Sequence, residues 1–540
     1  MKKNELCIDV LGTAVTIFTD EDPVYLRTLL EKYRNTIENV KRNSGLTDPL
    51  KLAVLTGFLL SHDLEKAGTP ESTEGIEKNE DSGEAERLTL GMITRLDEVL
   101  DGQNWLQVAA PEPEYPETGP AVPASAGPAD FIISERAIYK LKNQVKNYDW
   151  GSPEWIPALL GLENPGKSPW AELGMGINPG APSRIVGESG EPGPLLSEIT
   201  RLPFLYKLLA AAKPLSIQVH PNPDQAREGF ERENQEDIPL DDPKRSYLDF
   251  NHKPEIISAL SPFAALCGFR KVLDIHTLIT KLYMSLGNDE ILKNTFETLL
   301  FSLKGENENP YGEFLSALFG LETAAKNALS HFLKSHSVLL ERKYPENRNE
   351  WKICAFFAGL YPGDPGVMAP LYLNIIELAP GQAIYFPPGI LHTYIHGLGL
   401  ELTADSSNVL RGGITSKYIN PDELLKIAVL SEYKPEILEN PEPDAPYFEY
   451  PSPEGEFSLS VMQNSGGENP GGTNVAPGAA LPYPEKNGPS IIFISAGNAL
   501  VKDPEDNSEL HIKTGESFFV PPGKKLEISG TFTAYAAAAK

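Results

Sequence analysis

Three short stretches that lie far apart in the chain are rich in side chains that bind divalent metals. They are Gln218-Val219-His220, Asn251-His252-Lys253-Pro254-Glu255 and Leu391-His392-Thr393-Tyr394. Gln218 and His220 are two positions apart in an alternating segment, so they share one face of a predicted strand. His392 follows a strand that ends in a Pro-Pro-Gly turn, which would place it at the rim of a sheet. Together the stretches predict one catalytic metal site.

The candidate ligands are Gln218, His220, Glu255 and His392. Two imidazoles, one carboxylate and one amide oxygen leave a divalent ion with about one unit of positive charge for substrate oxygens. Zinc fits this set best. Because it contains no cysteine, Fe(II), Mn(II) and Co(II) stay open by ligand type. Each histidine alone could be a hydrogen-bonded core residue, but three such pieces at strand ends and turns favour a metal.

Composition favours a multidomain cytoplasmic protein. The chain has 540 residues, 41% of them apolar, and a net charge of −28, which opposes nucleic-acid binding. Three scattered cysteines are too few for a disulfide framework and indicate a reducing compartment. The first residues lack the apolar stretch of a signal peptide, and no early run suits a membrane span.

Residues 1–108 are predicted to form a separate α/β module. Residues 8–18 suggest two short strands with a turn at Gly12, and Asp20-Glu21-Asp22-Pro23 then offers a helix start. Two further helices are expected, from Asp48 and around residues 88–99. The last of these helices has an apolar stripe, which needs a partner.

This module resembles the ZapA family of bacterial cell-division proteins. The resemblance covers about the first 105 residues and is carried by Ile8-Asp9-Val10-Leu11-Gly12, by residues 19–26 and by residues 44–55. It implies a small α/β head and a C-terminal helix that dimerise, with the helices forming a coiled coil, and it implies binding to FtsZ. FtsZ filaments and self-association are therefore the expected partners of this part of the chain.

A linker rich in proline and alanine, residues 109–132, is predicted to separate this module from the rest. Beyond it we expect a catalytic β domain (residues 133–267 and 353–435), an inserted helical domain (268–352) and a C-terminal β domain (436–540). A nine-residue segment, 381–389, recurs as 515–523 and suggests two related β units. Only the first copy is followed by a histidine, so only that unit is expected to hold metal.

From about Ile138 onward the chain resembles type I mannose-6-phosphate isomerases. The resembling stretches are residues 148–151, 171–173, 202–207, the Gln218 and Glu255 segments, and residues 401–417. The resemblance places that family's zinc ligands on the four residues chosen above. It implies two cupin-type β-barrel (jelly-roll) domains with a helical domain, and the interconversion of mannose 6-phosphate and fructose 6-phosphate.

This reaction needs proton removal beside a carbonyl, stabilisation of an enediolate and return of the proton to the neighbouring carbon. Arg411 and Lys417 are candidates for contacts with the intermediate and the phosphate of a hexose 6-phosphate. Lys253 and Glu401 are rival proton-transfer residues. Three further residues match positions that line the family's pocket, namely Ser216, Glu172 and Tyr394.

Two departures from the family pattern affect the expected pocket. The chain has Gly174-Met175-Gly176-Ile177-Asn178 where the family usually has a Trp first and a His last, and Ser407 where it usually has Asp.

Two alternative functions of the chain stay open. One is a non-catalytic cell-division scaffold that senses a sugar phosphate, and the other is a metal oxygenase on the same β fold, which would need redox-active iron.

Overall fold

The computed structural model describes residues 4–10, 13–19, 36, 138–187, 190–304, 308–442, 445–464, 467–468, 474–475, 480–505 and 507–540. The chain divides into two compact units, residues 1–126 and 127–540. In the first unit, strands β1 (Asn4–Val10) and β2 (Thr13–Thr19) pair antiparallel, with Val10 opposite Thr13. The two predicted strands are present. The Gly12 turn, the linker and, apart from Thr36, the predicted helices lie outside the described residues.

The second unit contains most of the strands. In chain order they are β3 (Tyr139–Lys142), β4 (Gln144–Lys146), β5 (Glu172–Met175), β6 (Arg184–Val186), β7 (Pro192–Leu195), β8 (Phe204–Ala211), β9 (Ile217–Val219), β10 (Glu255–Ala259), β11 (Phe263–Phe269), β12 (Leu373–Leu378), β13 (Ala383–Phe386), β14 (His392–Ala404), β15 (Leu410–Gly413), β16 (Ile437–Leu438), β17 (Tyr447–Glu449), β18 (Phe457–Asn464), β19 (Gly467–Glu468), β20 (Asn474–Val475), β21 (Leu481–Tyr483), β22 (Ser490–Lys502), β23 (Glu509–Lys513), β24 (Ser517–Val520) and β25 (Leu526–Ala539).

The described helices of this unit are α1 (Trp155–Leu160), α2 (Pro223–Gln235), α3 (Val272–Tyr283), α4 (Glu290–Ser302), α5 (Pro310–Phe319), α6 (Thr323–Lys343), α7 (Arg348–Leu360), α8 (Ala369–Tyr372) and α9 (Pro421–Ile427). Short 3-10 helices span Leu196–Glu198, Pro345–Asn347 and Pro365–Met368. Among the described helices, none combines the length and apolarity that a bilayer crossing demands.

A first sheet of 11 strands positions the predicted metal site. Its main path runs β16-β13-β10-β14-β8-β5-β4, and β9, β11, β12 and β15 join off this path. The long strand β14 connects its parts, because its first residues pair with β9 and β11 and its last residues pair with β8 and β10. Strand β14 therefore brings His392, at its start, and Glu401, near its end, into one sheet.

Alternation along these strands separates the two faces of the first sheet. Tyr206, Ile256 and Leu402 belong to a core that includes residues of the second sheet, such as Phe493. Their neighbours Lys207, Glu255 and Glu401 therefore point to the opposite face, because successive side chains alternate across a strand. That face carries a separate buried cluster with Leu209, Ile257, Phe386 and Tyr394 among its members.

The second sheet has 10 strands and takes them from both ends of the unit. Its path is β17-β18-β25-β22-β24-β3-β6-β7, with β21 and β23 attached. Strands β3, β6 and β7 thus lie within residues 133–267 of the sequence but belong to this sheet, because β3 pairs with the C-terminal strand β24, β6 with β3 and β7 with β6. The domain limits drawn from the sequence stay a prediction. They did not include the contribution of these three early strands to the second sheet.

The two copies of the nine-residue repeat adopt the same conformation. Strand β13 occupies the first copy and β24 the second, at equivalent positions. Each strand lies between two glycines with positive φ, Gly381 (86°) and Gly389 (85°) in the first copy and Gly515 (84°) and Gly523 (71°) in the second. The left-handed region favours glycine, so the repeat encodes a strand bounded by two tight turns.

Helices α3 to α8 form a nearly continuous helical region between Val272 and Tyr372. Their apolar residues share one core, which includes Leu278, Phe296, Phe314 and Trp351. The helices extend past residue 352, the predicted end of the helical domain, because α7 packs Cys354 and Phe357 into that core. The last helical residue before β12 is Tyr372.

Candidate metal centre

Glu255 lies between two imidazoles on the first sheet. Its Oε1 is 3.2 Å from Nε2 of His220, and its Oε2 is 3.1 Å from Nε2 of His392. All three residues are at most 2% exposed. Their potential ligand atoms lie within 4.8 Å of one another, and no other group of three His, Cys, Asp or Glu residues in the described part of the chain meets that test.

Main-chain carbonyls fix the orientation of both rings. Nδ1 of His220 is 2.6 Å from the oxygen of Asn408, and Nδ1 of His392 is 2.9 Å from the oxygen of Ile390. A carbonyl only accepts hydrogen bonds, so each Nδ1 carries a hydrogen and donates it. Both Nε2 atoms are thereby turned to Glu255, as in sites where outer partners orient metal-binding histidines.

The charge states of Glu255 and His220 leave two acceptors facing each other. Burial lowers the pKa of His220 to about 4, against the attraction of Glu255, so the ring is neutral at pH 7. Burial favours a higher pKa for Glu255, but the neighbouring Lys253 outweighs it and holds the pKa well below its usual range. His220 Nε2 is buried and has no hydrogen-bond partner within the described residues. A cation between these atoms would satisfy both, so the donor set fits a divalent metal.

Backbone register places Gln218 beside this cluster. In β9 it lies opposite His392 of β14 on one side and opposite Arg411 of β15 on the other. Directly opposed residues of antiparallel strands share a face, so the Gln218 amide lies on the same side as both of these residues. The structure therefore brings together all four side chains predicted as ligands, three by direct contact and Gln218 by register.

Lys253 is in contact with the same carboxylate. Its Nζ lies 2.8 Å from Oε1 of Glu255, and the residue is 7% exposed. The predicted amine beside the metal ligands is therefore present, and it is sequestered from bulk solvent.

A chain of hydrogen bonds runs from Glu255 to Glu401, the other predicted proton-transfer residue. The hydroxyl of Tyr394 donates to Oε1 of Glu401 at 3.0 Å and lies 3.5 Å from Oε2 of Glu255. Lys207 donates to the second oxygen, Oε2 of Glu401, at 3.1 Å. Burial raises the pKa of Glu401, and Lys207 opposes that shift. Both carboxylate oxygens of Glu401 therefore already accept hydrogen bonds.

Lys207 is a residue of the cluster that the sequence analysis did not select. Burial alone would lower its pKa, but Glu172 and Glu401 outweigh that effect and raise the pKa above its usual range. This places the predicted residue Glu172 in the electrostatic surroundings of the cluster. A signal was present in the sequence, because Lys207 is the only charged residue of the otherwise apolar strand β8.

The predicted phosphate contacts lie on the strand next to Gln218 and in the loop that follows it. Arg411 is partly buried and Lys417 is exposed. Burial lowers the pKa of Arg411, and partial loss of solvent around the Lys417 amine together with the charge of Arg411 lowers the pKa of Lys417. Neither cation is paired with a carboxylate in the described part of the chain. Ser216, just before β9, is partly buried, and no described hydrogen bond links its side chain to the cluster.

The departure at Ser407 is accommodated by Asp249. One oxygen of its carboxylate accepts from the Ser406 hydroxyl at 2.8 Å, and the other accepts from the Ser407 amide at 2.7 Å. Asn408 donates to the main-chain oxygens of Asp249 and Asn251 at 2.8 and 2.9 Å. These bonds hold the Asn408 carbonyl against His220, so Asp249 and Asn408 support the cluster although neither was predicted to.

Gly174 and Asn178, the two residues that depart from the family pattern in this segment, lie next to each other. Gly174 lies opposite Lys207 in the sheet, and a Cβ added to it would come 3.2 Å from Cβ of Asn178. Asn178 is 1% exposed and donates to the Tyr206 carbonyl at 3.1 Å. The absence of a side chain at Gly174 thus makes room for Asn178.

Two family models match the chain. Residues 138–272 match phosphomannose isomerase type I, catalytic domain, and residues 6–98 match cell division protein ZapA.

Relatives with a similar sequence carry one activity in their names. The mannose-6-phosphate isomerase of Salmonella typhimurium is 34% identical over 422 residues, which span 73% of this chain and 97% of that protein. The mannose-6-phosphate isomerase of Escherichia coli is 33% identical over 401 residues, or 71% of this chain and 94% of that protein.

Solved structures agree in fold. A single-residue variant of phosphomannose isomerase from Salmonella typhimurium has a TM-score of 0.64 at 30% identity, over 75% of this chain and 100% of the other. A zinc-bound structure of mannose 6-phosphate isomerase has a TM-score of 0.63 at 29% identity, with the same coverage.

Proposed function

The chain belongs to the type I phosphomannose isomerase family, and we propose that it interconverts mannose 6-phosphate and fructose 6-phosphate through an enediolate at the Glu255 centre. The observation that carries this proposal is the arrangement of His220, Glu255 and His392, in which two oriented imidazoles face one ionised carboxylate in a buried cluster. Membership of the family is the basis for proposing this substrate, and the cluster is the basis for proposing where the reaction takes place.

Zinc is the metal that we assign to this centre. Gln218, His220, Glu255 and His392 would hold it, in keeping with their ligand types and with the zinc-bound relative. Bound there, zinc would stabilise negative charge on the two sugar oxygens that exchange carbonyl and hydroxyl character.

Lys253 is our choice for the residue that moves the proton. A base must take the proton from C2 of mannose 6-phosphate and return it to C1, so that the product is fructose 6-phosphate. The Lys253 side chain lies beside Glu255, and zinc would replace it as the partner of that carboxylate, so that the lysine could act as a neutral amine. Both oxygens of Glu401, by contrast, already accept from Tyr394 and Lys207. Glu401 then acts as a positioning residue that orients the Tyr394 hydroxyl.

Arg411 and Lys417 would receive the phosphate. They are cations without carboxylate partners in the described part of the chain, and Arg411 is aligned by register with the ligand Gln218. An arginine can bind phosphate through two parallel hydrogen bonds, which would fix the distance from the phosphate to the metal. Glu172, Ser216 and Tyr394 complete the proposed substrate-binding set.

The N-terminal domain of the ZapA type gives the chain a second proposed role. We assign self-association and binding to FtsZ filaments in the cytoplasm to residues 1–108. For the second unit, we propose that its two sheets form cupin-type jelly rolls. In the competing view, the cluster binds a sugar phosphate without turning it over, and the chain acts as a cell-division scaffold.

A coupled isomerase assay on the purified full chain, with and without a chelator, separates these functions. We expect turnover of mannose 6-phosphate, its loss on removal of the metal and its return with zinc. Full activity in demonstrably metal-free protein would contradict the zinc assignment. Tight binding of mannose 6-phosphate without turnover in zinc-loaded protein would favour the scaffold.

A further inference from the structure

The loop between Arg411 and Lys417 contains a residue in an unfavourable conformation. Ile414 has a φ of 54°, in the left-handed region that β-branched residues rarely adopt. Gly413, immediately before it, has a φ of 136°. Strained residues persist where the surrounding structure determines their conformation, and they cluster at functional sites. Contacts from outside the loop must therefore hold Ile414 in place.

Asp364 supplies the polar contacts. It lies between α7 and the 3-10 helix Pro365–Met368, so it comes from the helical region. Its Oδ2 accepts from the amide of Thr415 at 3.2 Å. Its Oδ1 accepts from the amide of Gly366 at 2.7 Å. One carboxylate thus joins the strained loop to the helical region.

Close packing supplies the other contacts. A Cβ added to Gly413 would come 2.7 Å from Cα of Gly366, so the two backbones are in direct contact there. The Ile414 side chain is 1% exposed and belongs to the core formed mainly by the helical region. The loop that carries the two cations is therefore held against the helices on its polar and its apolar side.

We propose that Asp364 is a positioning residue for the phosphate of the substrate, because it fixes the strained backbone that sets the places of Arg411 and Lys417. This inference rests on the proposed role of these two cations. Asp364 forms no ion pair in the described part of the chain, so it acts through main-chain amides and not by direct contact with either cation. The helical region then contributes to substrate binding without touching the metal ligands.

Steady-state kinetics on the zinc-loaded full chain test this assignment. In Asp364→Asn one acceptor oxygen becomes an NH2 group that cannot accept from an amide. We expect KM for mannose 6-phosphate and Ki for inorganic phosphate to rise together by about tenfold, while kcat changes by less than about twofold.

Asp503→Asn is the matched control. Asp503 is fully buried just after the end of β22 and accepts from the Glu505 amide at 2.7 Å, so it caps a turn far in sequence from the cations. Its variant should leave KM and Ki unchanged. Thermal unfolding of each variant shows whether it is folded at the assay temperature.

The outcomes separate this inference from the proposed function. If Arg411→Ala leaves Ki for phosphate unchanged, both the phosphate role of Arg411 and the role of Asp364 are wrong. If Arg411→Ala raises Ki but Asp364→Asn does not, only the positioning role falls. A lower kcat at constant Ki in Asp364→Asn would also overturn it.

Discussion

Nδ1 of His220 donates to the main-chain oxygen of Asn408 across 2.6 Å, and this bond directs the other ring nitrogen at Glu255. The two residues are 188 positions apart in sequence. Because the ring is buried and neutral, its Nε2 lone pair faces an ionised carboxylate and accepts no hydrogen bond from the described residues. This relationship makes the cluster a cation site, and it determines how the protein should respond to pH and to mutation.

The first prediction concerns pH and stability. The folded pKa of His220, about 4, lies below the unfolded value near 6.5, so the unfolded state binds more protons between these limits. Stability of the metal-free protein should therefore fall as pH drops from 6.5 to 4, by roughly 3 kcal/mol at most from this residue. Thermal unfolding of metal-free protein across that range, compared with His220→Asn, measures the effect. An equally steep pH dependence in the variant would exclude His220 as its source.

The second prediction concerns His392. His392→Ala should lower activity by at least about a hundredfold and reduce the zinc content, because it removes one of the two imidazoles that face Glu255. The matched control is His396→Ala, on the same strand but exposed, which should retain both. Circular dichroism establishes that the folds are the same, and elemental analysis measures zinc. Normal activity in His392→Ala would remove this residue from the site.

The third prediction concerns Lys253. Lys253→Met should lower kcat by about a thousandfold, in the range of lost proton-transfer catalysis, while zinc stays bound. Exchange of the C2 proton of mannose 6-phosphate with solvent should slow in parallel. A variant that still exchanges this proton at the normal rate would show that another group is the base.

The fourth prediction concerns Glu401 and Tyr394, which share a hydrogen bond of 3.0 Å. Glu401→Ala and Tyr394→Phe should each lower kcat by about tenfold, since the first variant removes the acceptor that orients the hydroxyl and the second removes the hydroxyl itself. The double variant should lose little more, because residues in one network are not additive. Losses that multiply in the double variant would argue for independent roles.

The fifth prediction concerns the N-terminal module. The full chain should sediment with FtsZ polymers, and a chain that lacks residues 1–108 should stay in the supernatant while it keeps its isomerase activity. Sedimentation equilibrium on the same two proteins measures self-association. Equal amounts of both proteins in the pellet would count against the module as the FtsZ-binding part.

Local patterns in the sequence predicted the parts of the site that depend on residue type and short spacing. Alternation placed Gln218 and His220 on one strand face, and the Pro-Pro-Gly segment predicted the turn that follows β13. The helical spacing of leucines indicated the helical region, but not its end, because helix α7 is fixed by packing into a core shared with distant helices. Ligand chemistry selected the four metal-site residues without any knowledge of their distances.

Tertiary structure decided which distant groups support those residues. Lys207 reaches Glu401 from a strand 194 residues away, the Asn408 carbonyl orients His220, and Asp364 holds the Ile414 loop from the helical region. Strands β3, β6 and β7 likewise complete the sheet formed by the C-terminal strands. A period of 2 or 3.6 residues encodes which face of an element is apolar, but not which partner will cover it. That choice follows from the packing of whole sheets and helices, in which main-chain carbonyls and strained loops take part and leave no trace in local composition.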